Sequence, residues 1–165
     1  MRIASLALLV ASCSGADPRL AEVGAGYAGW GRVDDAARRA PTDCEAPVPA
    51  PPRLSASRDP ETHGRKLYYL FAKDREAYRL GRELPQPVGQ VLVKETWIPG
   101  QPRKKGPLFV MTKTGEPDSD GGWIYSTLTP DGRTVTASGK LASCMECHKS
   151  KSDRLFGYKS CASPQ

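Results

Sequence analysis

The sequence predicts an α+β domain built mainly from antiparallel β-strands with a few short helices. Three observations carry that expectation. Residues 89–98 alternate, with Val91, Val93, Glu95 and Trp97 on one face and Leu92, Lys94 and Thr96 on the other. Other apolar runs have strand length and are separated by connections rich in Gly, Asp and Pro. The sustained 3.6-residue period of an all-helical chain is missing.

In chain order, residues 41–60 are Pro-rich and predict an extended segment without regular pairing. Residues 66–72 are apolar and aromatic, as a strand should be. Asp74 has the side chain of an N-cap for a short helix that runs to about Leu80 and closes at Gly81. After the alternating strand come two more, at 108–113 and 123–128, joined by a Gly/Asp/Pro-rich connection at 114–122. Thr129-Pro130-Asp131-Gly132 is a turn, and Gly139-Lys140-Leu141 leads into the last motif.

That motif is Cys144-Met145-Glu146-Cys147-His148, a C-x-x-C-H run. It is the attachment signature of a c-type haem: two thiols add across the vinyl groups, and the adjacent imidazole becomes the proximal iron ligand. A zinc site would need further ligands at similar spacing, and only Cys44, Cys161 and His63 remain, all distant in sequence. A thioredoxin-like dithiol would open a helix in a βαβ setting, which the pattern does not provide.

The N-terminus supplies a matching address. Met1-Arg2 and the short apolar run 3–11 read as an export signal at 1–12, too short for a permanent membrane span. Small residues before Cys13 resemble a lipoprotein cleavage box, so Cys13 is expected to carry lipid, with 13–26 as a flexible spacer and 27–165 as the haem domain. An ordinary secretory signal with an incidental cysteine is the alternative. Both place the protein in the periplasm or cell envelope, on the membrane by a lipid anchor only. Of the five cysteines, Cys44 and Cys161 are then left, and a disulfide between them is the natural expectation in an oxidising compartment. Closing so long a loop would contribute about 4–5 kcal/mol in the chain-entropy account.

Removing the signal takes Arg2 and leaves 23 Lys+Arg against 18 Asp+Glu, from 24 against 18 in the full chain. The cluster Arg103-Lys104-Lys105 has no interleaved aromatics and reads as a solvated loop, not a nucleic-acid surface. Lys149, Lys151, Arg154 and Lys159 follow the haem motif and suit haem propionates, an acidic redox partner protein or simply a solvated surface.

The iron's sixth position separates the possible functions. An electron carrier closes it with Met or a second His. His63, Met111 and Lys94 are the residues able to serve, and Met111 on a strand reads first as core packing. An open site for a small molecule is the expectation.

Asp74-Arg75-Glu76-Ala77-Tyr78, then Gly89 through Glu95 with its Val93-Lys94-Glu95 run, then Gly122-Trp123, then the C-x-x-C-H motif followed by Lys149 together resemble cytochrome P-460, a family that includes the β-sheet cytochromes c-prime. The resemblance implies a homodimeric, mainly antiparallel β fold with a five-coordinate haem c. It implies that Lys94 matches the lysine joined covalently to the porphyrin rim in the P-460 members. Those members oxidise hydroxylamine to nitric oxide or nitrous oxide, whereas the c-prime relatives lack the bond and bind nitric oxide or carbon monoxide. The family's distal proton-relaying carboxylate has Glu116 as its nearest match, with Asp118 and Asp120 close by. Phe71, Phe109 and Phe156 are candidate walls of the apolar pocket.

Overall fold

The computed structural model describes residues 17–33, 52–55, 62–81, 84–101 and 103–156. The signal at 1–12, Cys13, Cys44, Cys161 and Lys159, and with them the lipid and disulfide expectations, lie outside the described residues.

One six-stranded sheet organises the chain: β1 (Arg53–Leu54), β2 (Leu67–Ala72), β3 (Val91–Trp97), β4 (Lys105–Lys113), β5 (Trp123–Leu128) and β6 (Val135–Gly139). The strands follow sequence order across the sheet, each antiparallel to its neighbour. Among the described residues three short helices flank it: α1 (Pro18–Gly26), α2 (Arg75–Leu80) and α3 (Ala142–His148). The α+β, mainly antiparallel expectation is what the chain forms.

Register decides which residues share a face. Leu70 stands opposite Lys94 and Lys94 opposite Phe109; Leu92 stands opposite Met111 and Met111 opposite Tyr125. Partners across an antiparallel ladder point the same way, so these side chains form one surface. The other face carries Phe71, Val91, Val93, Leu108, Val110 and Leu128, packed against Leu20 and Val23 of α1 and against Tyr27. Both faces are covered, which is why β3 shows near-continuous burial where a half-exposed strand would alternate.

Two expectations change here. Residues 13–26 are not a spacer throughout, because α1 occupies 18–26. Asp17 caps it, with its carboxylate 3.0 Å from the Arg19 amide, and Pro18 takes the first helical turn, where its missing N–H costs nothing. Gly24 lets the helix meet the β5–β6 turn backbone to backbone: a Cβ there would stand 2.0 Å from the Gly132 oxygen. Within the Pro-rich stretch, Arg53 and Leu54 pair with Tyr68 and Leu67 as an edge strand. Residues 135–139 add a sixth strand that their small polar side chains did not advertise. It is supported by hydroxyl pairs across β5, Ser126 with Ser138 at 2.9 Å and Thr127 with Thr136 at 2.6 Å.

Candidate functional site

The Lys94 face of the sheet does not pack directly on α3 along its whole length. Between them lies a partly open cavity of ≈ 160 Å³.

Helix α3 supplies one wall. Cys144, Cys147 and His148 stand at i, i+3 and i+4, hence on one helical face, and all three line the cavity. Leu141 and Met145 secure the helix by packing into the cluster around Trp123 and Tyr125. Neither thiol is in a disulfide, and burial raises the pKa of Cys144.

His148 is buried and fixed. Its Nδ1 stands 2.6 Å from the Arg154 carbonyl oxygen, an atom that can only accept, so Nδ1 carries the proton and Nε2 keeps its lone pair. Burial first, then the Lys94 charge, lowers its pKa, against the raising influence of the carbonyl and of Asp120. The carbonyl in turn sits on a one-turn 3₁₀ segment, Ser152–Arg154, in which Asp153 and Arg154 have φ of 42° and 60°. Asp153 holds that turn to the sheet by accepting from Lys113 Nζ at 2.5 Å, Trp123 Nε1 at 3.2 Å and the Gln86 amide at 2.7 Å. Asp120 adds a second tie, accepting from Arg154 Nε and the Tyr125 hydroxyl, each at 2.8 Å.

Lys94 projects from β3 into the cavity, its Nζ 4.5 Å from the centre of the Tyr68 ring and 3.5 Å from His63 Nδ1. Desolvation lowers its pKa from 10.5 to about 8, only partly opposed by the two thiols. At pH 7 the amine is still mostly protonated, with roughly a tenth of it neutral.

His63 lies in the turn at 62–65 and also lines the cavity, with Nδ1 2.7 Å from Ser55 Oγ and its ring edge-on to Phe109 at 5.3 Å. Burial, with Lys94, His148 and Lys66 adding repulsion, lowers its pKa to about 3, so the ring is neutral.

The remaining expectations divide. Phe109 and Phe156 line the cavity, whereas Phe71 faces the opposite side and meets Tyr27 edge-on at 5.1 Å. Met111 lines the cavity while packing in the cluster of Leu92 and Tyr125. Glu116 is not brought to the site. The Thr114 and Gly115 amides both bond the Gly122 oxygen, and the tight loop so closed turns Glu116 into solvent. Asp118 is exposed and paired with Lys140, and Asp120 serves the Arg154 side. No described residue lining the cavity is a carboxylate. Lys149 pairs with Glu146, and Lys151 rests 5.1 Å from the centre of the Phe156 ring.

Sequence reasoning missed Ser55, Tyr125 and the Asp153 clamp. Tyr125 could have been placed by strand alternation; the other two depend on contacts across long sequence separations. Among the described residues, no three His, Cys, Asp or Glu side chains gather closely enough to hold a metal ion by themselves, and no helix is long and apolar enough to cross a membrane.

An antiparallel sheet thus walls a cavity whose lining carries two free thiols and two imidazoles. The family model for cytochrome P460 matches residues 25–158, and the chain belongs to that family. Membership carries haem-based oxidoreductase chemistry at the level of the family. No curated protein matches the chain.

Proposed function

We propose that this is an exported c-type haem protein that acts as a P-460-like oxidoreductase on hydroxylamine or nitric oxide and passes electrons to a partner protein. The observation that carries the reading is the convergence of Cys144, Cys147, His148 and Lys94 on one cavity. Cys144 and Cys147 would hold the haem as thioethers, and His148, its tautomer set by the Arg154 carbonyl, would ligate the iron through Nε2. The bound haem supplies a redox-active iron whose potential depends on the axial ligand and its surroundings. The chain's own part is to orient, exclude water and tune. Leu70, Leu92 and Phe109 give apolar walls that strengthen local electrostatics. Lys94 presents its amine to the same space and would be the residue that joins the porphyrin rim.

The lipid at Cys13, the Cys44–Cys161 bridge, the envelope location and a homodimer belong to this reading. Lys149 and Lys151, exposed beside α3, would meet an acidic redox partner. The distal acid role is not assigned to Glu116, which lies in the solvent-facing loop.

A second reading, a protein that binds nitric oxide or carbon monoxide without turnover, is favoured by one observation: no carboxylate lines the described cavity to move protons.

The test is expression of the full chain in a host competent for c-type maturation, followed by peptide mass mapping. Haem on both Cys144 and Cys147, with reduction of an acceptor dye that depends on hydroxylamine, supports the proposal. Unmodified thiols would overturn it. Attached haem that binds nitric oxide but turns over no hydroxylamine would replace it with the second reading.

A further inference from the structure

The two histidines of the cavity stand in a relation that the C-x-x-C-H motif does not require. Their ring centres are 6.5 Å apart and their planes are nearly perpendicular, at 82°. Each ring's nearest aromatic neighbour is closer, Phe109 at 5.3 Å from His63 and Phe156 at 5.1 Å from His148. The histidine pair thus leaves a gap of more than an ångström beyond ordinary edge contact.

Both Nδ1 atoms are engaged outside the gap. His148 donates to the Arg154 carbonyl at 2.6 Å, and His63 pairs with Ser55 Oγ at 2.7 Å, with Lys94 Nζ 3.5 Å from the same nitrogen. Neither Nε2 has a hydrogen-bond partner among the described residues, although each ring is mostly enclosed. An imidazole held by Nδ1 and presenting a bare Nε2 is the arrangement of a metal ligand with its outer partner in place. A metal–imidazole bond is about 2 Å and the ring centre lies about 1 Å behind the nitrogen, so two imidazoles on one metal have centres about 6 Å apart. The observed separation fits that span.

With only two protein donors converging, the metal must bring its own equatorial ligands. This describes an iron inside a macrocycle and not a free ion.

We propose that His63 is the second axial ligand of the resting iron, opposite His148, so that any small ligand must first displace it. The inference rests on the haem attachment proposed above. Coordination transfers no electron: Nε2 would donate its lone pair in the tautomer whose Nδ1 hydrogen points to Ser55, with Lys94 Nζ 3.5 Å from Nδ1 but not donating to it. The resting protein is then six-coordinate and low-spin, and its reaction with small molecules is gated by release of His63. The five-coordinate site implied by the family resemblance is replaced by one that closes itself.

The test uses the matured holoprotein. Its absorption and electron paramagnetic resonance spectra should be low-spin. In His63→Ala they should become high-spin, revert when imidazole is added, and show carbon monoxide binding to the reduced form at least tenfold faster. In Lys94→Ala they should stay low-spin. A high-spin resting wild-type protein overturns the inference, as does a low-spin spectrum that His63→Ala leaves unchanged. Should the alanine variant fold poorly, His63→Gln gives the same spectral readout, and the wild-type spectrum alone already decides against the inference if it is high-spin. Haem found on Cys144 and Cys147 with a high-spin iron removes this inference only, whereas bare thiols remove the attachment as well.

Discussion

Asp153 is where the fold and the cavity wall depend on one side chain, and its replacement by alanine should be severe. The carboxylate and the Lys113 ammonium it meets at 2.5 Å are both nearly buried, with 11% and 10% of their side chains exposed. Removing the carboxylate leaves that ammonium with the Gly121 oxygen at 2.9 Å as its remaining hydrogen-bond acceptor. Breaking one side of a buried pair costs about 3–5 kcal/mol. The Gln86 amide also loses its acceptor, about 1 kcal/mol more. Urea unfolding of the holoprotein at pH 7 should therefore show a loss of about 4–6 kcal/mol in Asp153→Ala. Lys113→Met placed in the same chain should restore most of it, because a thioether stem does not need a counter-charge where the ammonium did. Asp153→Asn should fall between, since Asn tolerates the positive φ of 42° as Asp does. A loss under about 1 kcal/mol, or a double variant no more stable than the single, would refute the claim that this pair is what clamps the turn to the sheet.

Three further outcomes follow from separate parts of the molecule. Burial alone would raise the Glu95 carboxyl, but hydrogen bonds from Lys105, Tyr27 and Trp97 outweigh it and hold the pKa below its ordinary value. Its folded pKa is depressed, so its contribution to stability is full above the unfolded value of about 4.3 and disappears as pH falls through the folded one. Urea midpoints between pH 6 and 3 should show this slope, and Glu95→Gln should flatten it. Gly24→Ala sets a methyl against the Gly132 backbone and should lower stability by about 1–3 kcal/mol in thermal unfolding. Gly29→Ala, with nothing within 4 Å of its Cβ, is the matched control and should be near neutral. Leu108→Ala, fully buried on the face away from the cavity, should cost about 2–5 kcal/mol while leaving the holoprotein's absorption spectrum unchanged.

Local rules made much of the sheet legible. The Asp74 cap, the alternation from Val91 to Trp97 and the two strands after it are encoded by neighbours in sequence and all form, β4 starting earlier than expected because Lys105, read as loop, pairs with Glu95. Alternation, however, separates two faces without saying what each meets. On β3 the face with Val91 and Val93 also carries Glu95, buried against Tyr27 and Lys105, while the face with Lys94 looks into the cavity. Polarity at a single position could not tell these apart, since both faces are covered. Helix α1 shows the same gap between local signal and tertiary cause. Asp17 and Pro18 start it locally, but its apolar Leu20 and Val23 stabilise nine residues only because the sheet receives them. The C-x-x-C-H run marked one wall of the cavity from sequence alone. His63, separated from His148 by most of the described chain, acquires its meaning only when β1 and the 62–65 turn bring Ser55 and the ring to that wall's far side.

The two imidazoles are held by different kinds of partner, and the difference predicts different roles. His148 leans on a main-chain carbonyl, which accepts and never donates, and which is fixed through Asp153 to β4 and β5. Its tautomer and position are thus set by the sheet itself. His63 leans on a serine hydroxyl, which can donate or accept, with Lys94 Nζ 3.5 Å from the same nitrogen. Ser55 can follow the ring into another arrangement without leaving a buried carbonyl unpaired, so releasing His63 costs less than releasing His148. Under the axial ligation proposed here, exchange with a small ligand therefore occurs on the His63 side. Replacing Ser55 with alanine should loosen His63 further, raising the rate of carbon monoxide binding to the reduced holoprotein while the His148 side stays intact. A rate equal to that of the wild type would show that the hydroxyl does not set how firmly His63 is held.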